Sequence, residues 1–194
     1  APSRGLGDVY KRQVLMKGMS LFTTNEWMLL LSARFVNVLL GALMAWVVLK
    51  AAKLLFPRRY AWMFTALVVF LPGNVILYSY VNCDALAMCS TAIIFYSWVK
   101  AYKEGWNWTT CAVSAIGMGL CFLSYYNAYG FILTTFFFFV GTMLTDQEKA
   151  PKERWKEMIQ KGLFILVIVC VIALWWFIRN AILYHGDFLG RETS

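Results

Sequence analysis

The chain has 194 residues, 61% hydrophobic and 18% aromatic with 14% charged, and a mean hydropathy of +0.62. That balance excludes an ordinary soluble globular domain and reads as an integral membrane protein. The formal charge of +8 does not point to a nucleic-acid partner, because the Lys and Arg residues lie in short connections between apolar runs, where they set topology.

Residues 1–13 (APSRGLGDVYKRQ) are polar and basic, match no signal-peptide pattern and break abruptly into Val14. The run GLGDVYKRQ resembles translated adapter read-through in environmental sequence assemblies. Residues 1–13 are therefore read as a non-native leader, 14–190 as one membrane domain and 191–194 as a truncated tail.

The first long apolar run covers residues 27–49, whose length matches a hydrocarbon core of roughly 30 Å at about 1.5 Å per residue. Arg34, Asn37 and Gly41 fall on one helix face within it, which predicts that this face points into a bundle. Lys50, Lys53, Arg58 and Arg59 follow, with Pro57 as the break. A second span is expected over 60–80, with a kink or unwound turn at Pro72-Gly73. It ends in a polar knot, Asn82-Cys83-Asp84, where Asp84 is the sole acid between Glu26 and Glu104.

Residues 84–99 form a shorter expected span, closed by Lys100, Lys103 and Glu104. The next, 106–124, carries Thr110, Ser114, Gly117, Cys121 and Ser124 in alternating steps along one face, a stripe suited to close helix packing. Tyr125, Tyr126, Asn127 and Tyr129 make an uncharged turn, and 130–144 is the fifth span. Residues 146–161 read as a charged loop, of which Trp155 and Met158 could lie on the membrane surface. The sixth span, 162–178, leads through Arg179 and Asn180 into LYHGDFLG. The expected fold is thus all-α, a polytopic transmembrane helix bundle of about six spans. Three connections rich in Lys and Arg alternate with uncharged or Asp-bearing ones, which places Asn82, Asp84, Arg179, Asn180, His185 and Asp187 on the outer side.

Two readings of Asp84 stand side by side. Asn82 as an N-cap with Asp84 in the first turn would complement the helix dipole. A carboxylate in a spanning segment also costs about 2.5–3.5 kcal/mol at the bilayer centre, so it normally has a partner or a task. Arg34, about two turns into its span, could pair with Asp84 or Glu26, or hold a lipid phosphate with its forked donors. Arg179 invites the same phosphate reading, although an arginine just outside a span often only anchors it. His185 has no Cys or second His at ligand spacing, so no metal ligands are assigned. The run Phe136 to Phe139 reads as lipid-facing or packed apolar surface, and the five cysteines as small packing residues. No motif for a soluble nucleotide is present.

Three stretches together resemble GT-C-type membrane glycosyltransferases: SARFVNVLLGALMAWVVLKAAKLLFP from Ser32, LPGNVILYSYVNCDAL from Leu71 and WWFIRNAILYHGDFLG from Trp175. The likeness is to the branch related to protein mannosyltransferases and aminoarabinose transferases. It implies an enzyme of the cell envelope that moves a sugar from a polyprenyl-phosphate carrier to a glycan, lipid or protein acceptor on the outer side of a bacterial inner membrane. By the same resemblance Asp84 matches a second acidic position, which orients the acceptor or binds a divalent cation. Arg34 and Arg179 match basic positions near the lipid phosphate, with Asn82 and Asn180 beside them as substrate-binding residues. The main catalytic base is expected in an outer loop upstream of residue 27, absent from this chain, so the chain reads as a fragment, inactive alone. The alternative is a transporter or lipid flippase, with Arg34 and Asp84 as a charge pair and Pro72-Gly73 as a broken-helix site. A non-catalytic membrane scaffold is a third reading.

Overall fold

In the computed structural model, residues 26–80, 84–124, 128–145 and 150–183 are described, and among them the chain is all-helical. Seven helices follow one another: α1 (Glu26–Leu55), α2 (Arg58–Val69), α3 (Pro72–Ser79), α4 (Asp84–Glu104), α5 (Trp108–Phe122), α6 (Tyr129–Thr145) and α7 (Pro151–Leu183). Their boundaries follow local chemistry. Pro57 stands at the start of α2, and its carbonyl accepts from the Ala61 amide at 3.0 Å. α4 stops at Gly105, whose φ of +76° lies in the left-handed region that glycine enters without a Cβ clash, and its amide closes the helix onto the Ala101 carbonyl. Asn107 then caps α5, its Oδ1 accepting from the Thr110 amide at 2.8 Å and the Thr110 hydroxyl at 2.9 Å.

The break between α2 and α3 is a matter of one missing donor. In a continuous helix the Val68 carbonyl would accept from the amide of residue 72, but residue 72 is proline and has none. The side chain of Asn74 supplies the replacement, donating to the Val68 oxygen at 2.7 Å. Pro72 takes the first position of α3, where an amide would be unpaired anyway. The two helices meet at a bend of 60°.

α5 lies between α4 and α7 and buries most of its circumference, leaving Trp108 and Ile116 exposed on one face. A Cβ added to Gly117 would come within 2.9 Å of the Ile94 side chain, and one added to Gly119 within 2.9 Å of Ile172. α5 therefore touches α4 on one side and α7 on the other at nearly backbone distance. The expected small-residue stripe falls in this interior, with Thr110, Ser114, Gly117 and Cys121 buried. α6 is fastened by two tryptophans seven residues of helix apart in target. Trp98 Nε1 donates to Thr135 Oγ1 at 3.1 Å and Trp106 Nε1 to Thr142 Oγ1 at 2.7 Å. The phenylalanine run divides accordingly: Phe136 and Phe137 are exposed, while Phe139 is buried edge-on against Trp106. A second core joins Met44 and Val47 of α1 to Cys89 and Ile93 of α4.

Three helices are long and apolar enough to cross a membrane, over Arg34–Leu55, Asp84–Glu104 and Pro151–Leu174, and the bent pair α2–α3 makes a fourth if taken as one span. α5 and α6, at 15 and 17 residues, reach only about 22 and 26 Å at a rise of roughly 1.5 Å per residue. α5 is thus shorter than the expected 106–124, while α6 is slightly longer than the expected 130–144. Two other expectations change. α4 runs past residue 99 to Glu104, 21 residues in all, because 100–104 are compatible with helix and Lys100 lies 3.9 Å from Glu104 at i,i+4. The segment 151–161 is not a loop but the first three turns of α7, a 33-residue helix with Pro151 in its first turn and Glu153 beside the helix N-terminus. Within those turns Lys161 is buried and paired with Glu157, and Arg154 Nη1 donates to the Leu144 carbonyl at the end of α6 at 2.6 Å.

Candidate functional site

The path of the chain sorts the helix ends into two groups. Asn37 bonds Tyr80, Met44 and Val47 gather with Cys89 and Ile93, and α1 and α4 thus run in the same direction. α5 returns antiparallel to α4, α6 turns back beside it, and α7 runs parallel to α5 through the Gly119–Ile172 contact. One end of the bundle collects Lys50, Lys53, Arg58, Arg59, Lys100, Lys103, Lys152, Arg154 and Lys156. Two of these cations sit over aromatic rings, Lys50 3.8 Å from the Trp46 centroid and Lys53 5.5 Å from that of Trp62. The opposite end carries the start of α4 with Asp84, the early part of α1 with Arg34, and the last turns of α7 with the backbone of Arg179 and Asn180.

Asp84 is half-buried in the first turn of α4, where the helix dipole favours its negative charge. The chain is delivered to it by a specific tie. Asn37, 6% exposed, donates from Nδ2 to the Tyr80 carbonyl at 2.7 Å, four residues before Asp84. One turn further along α1, Gly41 receives the ring of Tyr78 so closely that an added Cβ would lie 2.9 Å from its Cγ. The expected inward face of α1 is thus real for Asn37 and Gly41 and not for Arg34, which is exposed. α3 ends level with Asn37, so no described element covers α1 one turn earlier. Among the described residues no ion pair links Arg34 to an acid.

Asn82, Cys83, His185 and Asp187 lie outside the described residues, as do the side chains of Arg179 and Asn180. The N-cap expected from Asn82 falls there too. Asn74 and Tyr78 were not singled out by sequence reasoning; the sole signal for Asn74 is a polar side chain in an apolar run, which asks for a partner without naming it. Among the described residues no three His, Cys, Asp or Glu side chains come together. No step is assigned to a cation at Asp84.

The sequence model of the dolichyl-phosphate-mannose-protein mannosyltransferase family matches residues 14–177. The chain belongs to this family. It is accordingly an integral membrane protein of the GT-C type of membrane glycosyltransferase, as the three sequence stretches led us to expect. No curated protein and no solved structure matches it. The family match runs through α1 to α6 and most of α7, so both ends of the bundle belong to the mannosyltransferase-like region.

Proposed function

We propose that this protein acts in transfer of a sugar from a polyprenyl-phosphate carrier to a glycan, lipid or protein acceptor, at the outer face of a bacterial inner membrane. The family match over residues 14–177 is the observation that carries this reading. The outer placement rests on the gathering of Lys and Arg at the opposite end of the bundle, which the positive-inside rule assigns to the cytoplasm. In this reading Asp84 accepts a hydrogen bond from the acceptor hydroxyl and fixes its approach, with Asn82 beside it. Arg34, and Arg179 with Asn180 from the end of α7, hold the phosphate of the carrier and stabilise the negative charge that grows as the sugar leaves. No described residue is given the role of principal base. A single displacement inverts the sugar anomer.

The test is sugar transfer from a labelled polyprenyl-phosphate donor in membranes containing the full-length protein. Asp84→Asn keeps size and hydrogen-bonding capacity but removes the charge, and should slow transfer by roughly a hundredfold. Wild-type turnover would leave Asp84 with its place in the helix start and no part in the chemistry. Donor movement across reconstituted vesicles without consumption would favour transport over transfer.

A further inference from the structure

The turn from α1 into α2 at Pro57 gathers Lys50, Lys53, Arg58 and Arg59, all four exposed. Among the described residues no carboxylate pairs with any of them, whereas at the same end of the bundle Lys100 lies 3.9 Å from Glu104 and Lys161 is paired with Glu157. Arg58 and Arg59 also stand in the first turn of α2, which carries no acid, so the helix dipole opposes both charges. Two exposed indoles lie one turn deeper along the bundle: Trp46 precedes Lys50 by four residues on α1, and Trp62 follows Arg58 by four on α2. Lys50 stands 3.8 Å from the Trp46 centroid, and Lys53 reaches across from α1 to within 5.5 Å of that of Trp62. The corner thus has four cations without acidic partners at its tip and two indoles beneath them.

We infer that this corner binds an anionic phospholipid of the leaflet at the basic end of the bundle, with the lipid phosphate among the four cations and the acyl chains along Trp46 and Trp62. Neither sugar transfer nor the orientation of the bundle in the membrane enters into it. The positive charge asks for an anion, and the indoles decide which kind. A free phosphate or a soluble polyanion would use the cations and leave both indoles idle. A lipid presents its negative head and apolar chains in the order in which cations and rings follow one another here. Arginine suits the head group, since its forked donors meet two phosphate oxygens at once. A diffuse excess of positive charge, which any cytoplasmic end carries, needs neither the indoles nor the lack of acids. On α7, at the same end, Lys152 and Lys156 alternate with Glu153 and Glu157, and Arg154 is engaged by the Leu144 carbonyl. There the charges largely compensate one another.

The test is stabilisation of the purified full-length protein in a non-ionic detergent by added phosphatidylglycerol, read as a rise in the unfolding midpoint, with phosphatidylcholine and inorganic phosphate in parallel. Phosphatidylglycerol should raise the midpoint most. With Arg58→Gln and Arg59→Gln together, the concentration giving half the shift should increase by about tenfold or more. Lys152→Gln with Lys156→Gln, the same loss of two charges on α7, should leave it within about twofold. The lipid-free midpoint of the α2 pair should equal or exceed that of the parent, because two charges opposed by the dipole are gone, and this verifies that the variant is folded. Equal weakening by the two pairs would mean that total charge, and not the corner, holds the lipid, and overturns the inference. Phosphatidylcholine as effective as phosphatidylglycerol overturns it too. Equal stabilisation by inorganic phosphate would make the corner a free-anion site and likewise sink the lipid assignment.

Discussion

Asn74 shows how one side chain decides the course of a helix. Pro72 deprives the Val68 carbonyl of its donor, and in a bilayer no water replaces it. The Asn74 amide does so at 2.7 Å. Asn74→Ala should therefore cost about 1–3 kcal/mol, the penalty of a buried acceptor left alone, seen as a lower unfolding midpoint in detergent. An unchanged midpoint would mean that the carbonyl finds another donor. The proline break is legible in the sequence, since proline's missing amide is a property of the residue itself. The repair is not, because it joins residues six apart across a bend whose angle no local pattern specifies. Arg34 teaches the same lesson from the other side. Helical spacing puts it on the stripe of Gly41, yet its exposure depends on where α3 ends.

Between elements, the glycines of α5 determine how near the helices come. A Cβ at Gly117 would stand 2.9 Å from Ile94 Cγ1 and 3.1 Å from the Ile94 backbone nitrogen, so a side-chain rotation alone does not relieve it. Gly117→Ala should destabilise the bundle by about 1–3 kcal/mol through forced separation of α4 and α5. Gly141 on α6 meets nothing within 4 Å of an added Cβ. Gly141→Ala should be neutral or stabilising by up to about 1 kcal/mol, from helix propensity. Thermal denaturation of the pair decides the matter, and equal effects would refute the close-packing account. The stripe containing Gly117 is readable as a packing face because small residues recur at helical spacing. Gly119 is not, since it lies off that stripe and its partner, Ile172, is more than fifty residues away in the chain. The indole bonds to Thr135 and Thr142 are equally silent in sequence, where each threonine could as well bond only its own helix.

At the scale of the whole molecule, the bundle is polarised. With Lys161, ten described Lys and Arg residues lie at one end, and Asp84 opens α4 at the other. If the basic end faces the cytoplasm, a membrane-impermeant maleimide applied to right-side-out vesicles should label Ser79→Cys and spare Lys103→Cys. Of the described native thiols Cys89, Cys111 and Cys121 are buried and Cys170 is half-buried, so the labelling is done in a Cys83→Ser, Cys170→Ser background. The reverse labelling pattern would put Asp84 on the cytoplasmic side and remove the proposed outer-face chemistry. The extra turns of α7 belong to this scale too. They sit at the basic end, where Arg154 reaches the Leu144 carbonyl of α6 and Lys161 is buried beside Glu157.

Composition and charge spacing suffice to make this an all-helical membrane protein with its basic connections on one side. Those properties sum over many residues, and hydrocarbon thickness and backbone satisfaction leave few alternatives. The family could be recognised from three short stretches for a similar reason, since they keep residue types in order along the chain. Span lengths, the place of α5 between α4 and α7 and the exposure of Arg34 required packing in three dimensions. Each depends on which helix lies beside which, and at what angle the break at Pro72 sends α3 across α1. Asp84 stands between the two cases: its place at a helix start is written locally, and its neighbours across the bundle end are set by the fold.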